Sequence, residues 1–216
     1  MAHLSDAVNG QPRSRPSPAA KADDTRRRIV GAAREVFSER GYDGATFQAI
    51  AVSADLTRPA INHYFASKQA LYREVVVQTN ELVVAAGVER ARSVQTLLGQ
   101  LCTFVMVAKE ADASHPATTA FLATAVLESQ RHPELRRSDH DAVAATREFL
   151  DTAVRDAIQR GELEAGVDAS QLAEALLLLL CGVGFYAGFV GSYRDMENIL
   201  DTLCKMMAGT LWKPRS

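Results

Sequence analysis

Apolar residues return every three or four positions along most of this chain, and no stretch alternates with the period of two that a half-buried strand requires. Ile29, Ala33, Val36 and Phe37 form one stripe on a helix from about Asp24 to Arg40. Asp23 or Asp24 would cap its start, and Gly41 stands where a helix ends. Phe47, Ile50, Ala51 and Ala54 give a short second helix behind Thr46, a capping residue. Asp55 follows as a turn residue, because Asp tolerates the left-handed conformation, and Leu56 plugs the corner. Thr57 caps a third short helix with Pro59 in its first turn, and Ile61 and Phe65 face inward. Ser67 caps a fourth helix reaching about Gly87, with Leu71, Tyr72, Val75, Val76, Leu82 and Val83 at its apolar positions. About 20 residues at 1.5 Å each make it a lever of roughly 30 Å.

The same periodicity continues through Ser93 to Glu110, Ala117 to Gln130 (stopping before Pro133) and Asp139 to Arg160 (ending at Gly161). Asp168 with Gln171 forms a capping box ahead of another helix, and Ser192 with Asp195 a weaker one ahead of the last. The expectation is an all-α chain of about nine helices with no sheet.

Thr46 to Lys68 holds the candidate chemistry. Two short helices joined by a tight turn are the pattern of a helix-turn-helix, whose second helix enters the DNA major groove. With Ile61 and Phe65 turned inward, Arg58, Asn62 and His63 face outward with Tyr64 beside them. Arginine can pair with guanine, asparagine with adenine, and Tyr or His with phosphate oxygen. The expected base contacts are Arg58, Asn62 and His63, with Pro59 in the same turn. Thr46, Thr57, Tyr64 and Lys68 are the expected phosphate contacts, Lys68 at a positive helix terminus. An ordinary helical hairpin with a polar outer face would share this spacing.

Tyr42 to Leu71 resembles the DNA-binding region of the TetR family of bacterial transcriptional regulators. The likeness rests on Gly41-Tyr42, Thr46, Ile50-Ala51, Ala54-Asp55-Leu56-Thr57, His63-Tyr64-Phe65, Lys68 and Leu71, in the family's order. It departs at Asp55, where the family has Gly, and at Asn62, where a Tyr is frequent. The resemblance implies a homodimer on a palindromic DNA operator, released by a small, largely apolar effector among the middle helices. It also implies that the last two helices, 169–190 and 192–212, pack against their twins as a four-helix bundle.

Charge agrees with DNA contact at one end. Residues 1–73 carry eleven Lys/Arg against seven Asp/Glu, and residues 74–216 thirteen against nineteen. Arg26, Arg27 and Arg28 crowd the start of the first helix, where a nearby phosphate would relieve their conflict with the helix dipole. Residues 1–22 lack the apolar core of a signal peptide and read as a disordered tail, a plain solvated one in preference to an arm whose Arg13, Arg15 and Lys21 brush DNA.

Other chemistry is sparse. Cys102, Cys181 and Cys204 have no metal or redox spacing and read as buried thiols of a reducing cytoplasm. No nucleotide, hydrolase or zinc-protease motif occurs, so no enzyme activity, catalytic residue or cofactor is expected. His115, His132 and His140, near Glu128 and Asp139, are a surface set or a weak metal candidate.

Ala175 to Gly191 has no charged residue and approaches the length of a membrane span. Gly182, Gly184 and Gly188 interrupt it, and a dimer interface accounts for it better than a membrane. Phe104, Met106, Phe121, Phe149, Phe185 and Tyr186 are the candidate effector contacts. The expected organisation is a tail (1–22), a three-helix helix-turn-helix domain (23–66) and a helical effector-binding and dimerisation domain (67–216). The competing readings are an architectural DNA-binding dimer without effector and a helical protein-interaction module.

Overall fold

The structure, a computed structural model, describes residues 17–135, 141–164, 166–190 and 193–210, and among these every regular element is helical. The helices are α1 (Pro18–Gly44), α2 (Phe47–Ser53), α3 (Arg58–Tyr64), α4 (Lys68–Asn80), α5 (Ala86–Ala91), α6 (Leu97–Ser114), α7 (Thr118–Arg131), α8 (Ala142–Gln159), α9 (Ala169–Phe189) and α10 (Tyr193–Met207). A π-helical segment, Glu81–Ala85, joins α4 to α5, and the residues at both of its ends keep helical dihedrals. The three therefore form one continuous rod from Lys68 to Ala91, about 36 Å long at 1.5 Å per residue. Counted with that rod as one helix, the described residues give nine, as the periodicity implies.

Side-chain caps set most helix starts. Thr46, Thr57 and Ser67 accept from the backbone N–H of Ala49, Ala60 and Ala70, and Asp168 accepts from Gln171. Three helix starts differ from the sequence reading, and α1, the rod and α6 each end about four residues later than it placed them. The first helix starts at Pro18, capped by Ser17 rather than by Asp23 or Asp24. Helix α6 starts at Leu97 behind Thr96, and α8 at Ala142 behind Asp141, which accepts from Val143 and Ala144. Gly41, at φ 67° and ψ 179°, bends the end of α1 as an L side chain does poorly. The weaker capping pair at Ser192 lies outside the described residues, as does Leu211.

Two cores result. The first joins Ile29, Val30, Ala33 and Phe37 of α1 to Ile50, Ala51, Ile61, Phe65, Leu71, Tyr72 and Val75. It also takes in Phe121 of α7 and Leu135. The ring of Phe121 lies 5.5 Å from that of Tyr72 and 6.4 Å from that of Phe37. The second core gathers Leu97, Leu101 and Phe104 of α6, Phe149, Leu150 and Val154 of α8, and Ala173, Leu176, Leu177 and Leu180 of α9.

Candidate nucleic-acid interface and effector cavity

The helix-turn-helix has the geometry its residues require. Ile61 and Phe65 are buried at 0% and 4% exposure, which turns the opposite face of α3 to solvent. Asp55 takes φ 51°, the left-handed corner between α2 and α3. Arg58, Pro59, Asn62 and His63 are exposed on that outer face, with Tyr64 half-buried and its ring edge-on to His63 at 5.3 Å. Thr46 and Thr57 are exposed at the starts of α2 and α3. Gln48, exposed on α2 beside Thr46, shares this surface. Its position after a helix cap was the available signal, and the sequence reading passed over it.

Three basic residues expected near phosphate are committed elsewhere. The Lys68 Nζ donates to the carbonyls of Tyr42 (2.7 Å), Ala45 (3.2 Å) and Asp43 (3.4 Å), and sits 4.4 Å over the Tyr42 ring. Its ammonium closes the end of α1 and does not reach outward. Arg28 donates to the Ala54 carbonyl at 2.8 Å, tying α1 to the turn. Arg26 pairs with Glu74 at 3.0 Å and lies over the Phe65 ring at 4.7 Å. These contacts engage Arg26 and Arg28, while Arg27 stays exposed and meets Asp24 at 3.5 Å.

The body grips the head at one further place. His132 presents Nε2 to Asp43 Oδ2 (3.2 Å) and Glu128 Oε2 (3.5 Å), and Nδ1 to Glu134 Oε1 (3.2 Å). Arg73 and Gln69 donate to the Glu134 carbonyl at 2.8 and 3.2 Å. Among the described residues no group of three His, Cys, Asp or Glu is arranged to hold a metal. His140 and Asp139 lie outside the described residues.

A cavity of about 590 Å³ opens among the rod, α6, α7, α8 and α9. Its wall is mostly aliphatic: Val83 and Val84 of the rod, Leu122 and Val126 of α7, and Leu177 and Leu180 of α9 among others. Polar groups on the wall include Asp112, whose carboxylate already accepts from the Thr119 N–H and hydroxyl at 3.0 Å each. Of the six expected contacts, Phe104 and Phe185 line it. The other four do not. Phe121 is in the first core, and Phe149 stacks on Phe104 at 5.7 Å inside the second. Met106 is 52% exposed, and Tyr186 is half-buried outside the lining.

The cysteines are less buried than expected. Cys181 is exposed and lines the cavity, while Cys102 and Cys204 are half-buried. The Cys102 thiol touches Cys204, and burial first, then that contact, pushes it up to about 12.

Residues 29–75 match the family model described as bacterial regulatory proteins, tetR family. Residues 84–203 match the model described as tetracyclin repressor-like, C-terminal domain. This chain belongs to the TetR family. Its fold is the TetR fold, and its function that of a helix-turn-helix transcriptional regulator. It is 29% identical over 163 residues to the HTH-type transcriptional regulator UidR of Escherichia coli K12, covering 76% of this chain and 81% of UidR. It is 27% identical over 203 residues to the HTH-type transcriptional regulator SrpR of Pseudomonas putida, covering 90% of this chain and 86% of SrpR. Among solved structures, the TetR-family regulator PfmR of Thermus thermophilus superposes with a TM-score of 0.69 at 23% identity, covering 86% of this chain and all of PfmR. These TetR relatives are regulators and not enzymes.

Helix α9 is long and apolar enough, by length and composition alone, to cross a membrane. One face of it is accounted for by Ala173, Leu176, Leu177 and Leu180 in the second core. Leu178, Phe185 and Phe189 stand exposed on the other at 74%, 53% and 49%. Gly182 lies in the same stripe, where an added Cβ would meet nothing within 4 Å.

Proposed function

We propose that this TetR-family chain is a cytoplasmic, homodimeric repressor that leaves its operator when a small apolar molecule fills the cavity. Division of labour follows the sequence, with residues 23–66 for DNA and 67–216 for effector and dimer. The observation that carries the reading is the aliphatic cavity against Val83 and Val84 of the rod. The same rod supplies Leu71, Tyr72 and Val75 to the core of the head. An architectural DNA-binding dimer would expect a filled interior there. Each head presents Arg58, Asn62 and His63 to one major groove, and two heads on a twofold axis would read half-sites about 34 Å apart. Thr46, Thr57 and Tyr64, with Gln48, would hold phosphates. The exposed stripe of Leu178, Phe185 and Phe189 supports dimerisation through α9 and α10, the segments 169–190 and 192–212.

The test is fluorescence anisotropy on duplex DNA flanking the chain's own gene, with random duplex as competitor. Wild-type protein should bind through the competitor. Asn62→Ala should relax preference at one base pair by about 1–3 kcal/mol. Equal weakening on specific and random DNA would remove Asn62 from the reading set, and no binding to either would sink the proposal.

A further inference from the structure

On the side of the rod turned toward α8 runs a second, open groove of about 750 Å³, whose lining shares only Val84 and Ala142 with the effector cavity. Among the described residues five carboxylates border it: Glu81 and Glu89 on the rod side, Asp141 at the start of α8, and Glu148 and Asp156 along it. The guanidinium on its lining is Arg92, paired with Glu89 at 3.3 Å. Asp141, the cap of α8 whose Oδ1 accepts from the Val143 and Ala144 N–H groups, stands seven residues before Glu148, and Asp156 eight after it, which is about 10 and 12 Å of helix. Glu81 and Glu89 are likewise about 12 Å apart along the rod. Between the charges the wall is mixed, with Val88, Phe149 and Ala153 beside the polar Asn80, Gln100 and Thr152.

A second feature is independent of the charge. Gln100 lines the groove and is only 8% exposed. Its Nε2 donates to the Val94 carbonyl at 2.8 Å, and its Oε1 has no hydrogen-bond partner. A buried acceptor left without a donor is costly, and a ligand N–H at the groove would relieve that cost.

The occupant must be cationic, long, a hydrogen-bond donor and partly aliphatic. A point cation does not suit carboxylates so far apart, and no metal-ligating group of three occurs among the described residues. We propose that this groove binds a linear aliphatic polyamine. Ammonium groups separated by three or four methylenes lie about 5–6 Å apart, so alternate nitrogens fall at the spacing of the carboxylates along each helix. The methylenes cover Val88, Phe149 and Ala153, and one N–H meets Gln100.

Isothermal calorimetry on the full chain, free of DNA (which itself attracts polyamines), tests this with spermidine as the probe. Spermidine should bind once per chain, and Mg²⁺ at the same concentration should give no heat. Glu148→Gln with Asp156→Asn, both exposed positions, should raise the Kd at least tenfold while circular dichroism stays that of the parent. Gln100→Leu should weaken binding several-fold. Equal heats from spermidine and Mg²⁺, or an unchanged Kd in the double variant, would overturn the proposal. Binding of an oligolysine peptide with spermidine inert would overturn it too, by assigning the groove to a basic protein segment.

Discussion

Replacing Lys68 by Met separates structural from DNA-contacting roles at the start of the rod. Met keeps the aliphatic stem and deletes the ammonium. The carbonyls of Tyr42, Asp43 and Ala45 then lose their shared donor, and the Tyr42 ring its cation. A hydrogen bond to a charged group contributes about 1.5–3 kcal/mol. Only the bond to Tyr42, at 2.7 Å, is short, and Lys68 is half-exposed, so water replaces much of the remainder. The net loss is about 2 kcal/mol, which for a chain of this size lowers Tm by about 4–8 °C. DNA binding reports on the other role. Removing one cation from a phosphate reduces the slope of log K against log salt by about 0.9. The ammonium is occupied inside the head, so Lys68→Met should leave that slope unchanged. Thermal melting and anisotropy titrations at several salt concentrations read both quantities on the same protein. A slope shallower by about 0.9 for each Lys68 replaced, with Tm held, would refute the internal assignment and return Lys68 to the phosphate set.

Three further outcomes follow from other contacts. Leu178→Asp should leave the isolated chain folded but abolish the dimer in sedimentation. Two symmetric copies of a newly buried Leu are worth about 3–6 kcal/mol, a Kd change of at least a hundredfold; an unchanged dimer would place the interface elsewhere. Gly188→Val should destabilise the chain by about 1–3 kcal/mol in urea unfolding, because even a Cβ would stand 2.7 Å from the Ala120 Cα. A neutral result would mean that α7 and α9 separate freely. Cys102 should alkylate with iodoacetamide at pH 8 about a thousandfold more slowly than an ordinary thiol, since its thiol is pushed up to about 12 and thiolate is the nucleophile. Its rate should keep rising tenfold per pH unit up to about 11, and a plateau near pH 9 would contradict the burial.

The reading head was legible because local chemistry determines it. Thr46, Thr57 and Ser67 each satisfy a backbone donor three residues on, and Asp55 tolerates its own corner. The early start of α1 was legible too, and was missed: Ser17-Pro18 repeats the logic by which Thr57 caps and Pro59 enters α3. Where the long side chains of Arg28 and Lys68 end was not legible. Arg28 and Lys68 reach partners about 25 residues away, and only tertiary packing decides between a carbonyl and a phosphate. Four of the six pocket candidates lie away from the cavity wall for a different reason. Large aromatics contribute most by being fully enclosed, so Phe121 and Phe149 went to the cores. Apart from Phe104 and Phe185, the cavity wall is built of aliphatic and small residues such as Val83, Ala108, Ala123 and Gly184, whose spacing is that of any helix.

The placement of Phe121 also bears on how the two ends of the molecule communicate. Phe121 lies in the head core, while the next residue along α7, Leu122, lines the cavity. The rod repeats the arrangement, with Leu71 and Tyr72 in the head core and Val83 and Val84 on the cavity wall, about 18 Å along the helix. Helices α7 and the rod meet at the Tyr72–Phe121 contact, 5.5 Å between rings. In the proposed mechanism that contact is the fulcrum. A ligand that separates Val83 and Val84 from Leu122 and Val126 cannot spread the two helices at their packed end, so it must tilt the rod about Tyr72. The tilt is inherited by α3, because Ile61 and Phe65 are held in the same core as Tyr72. The ligand can change DNA affinity only by as much as it prefers one tilt over the other. An effector would therefore have to be large enough to press on both walls at once, and a smaller apolar molecule that fits the cavity without bridging them would bind without releasing DNA.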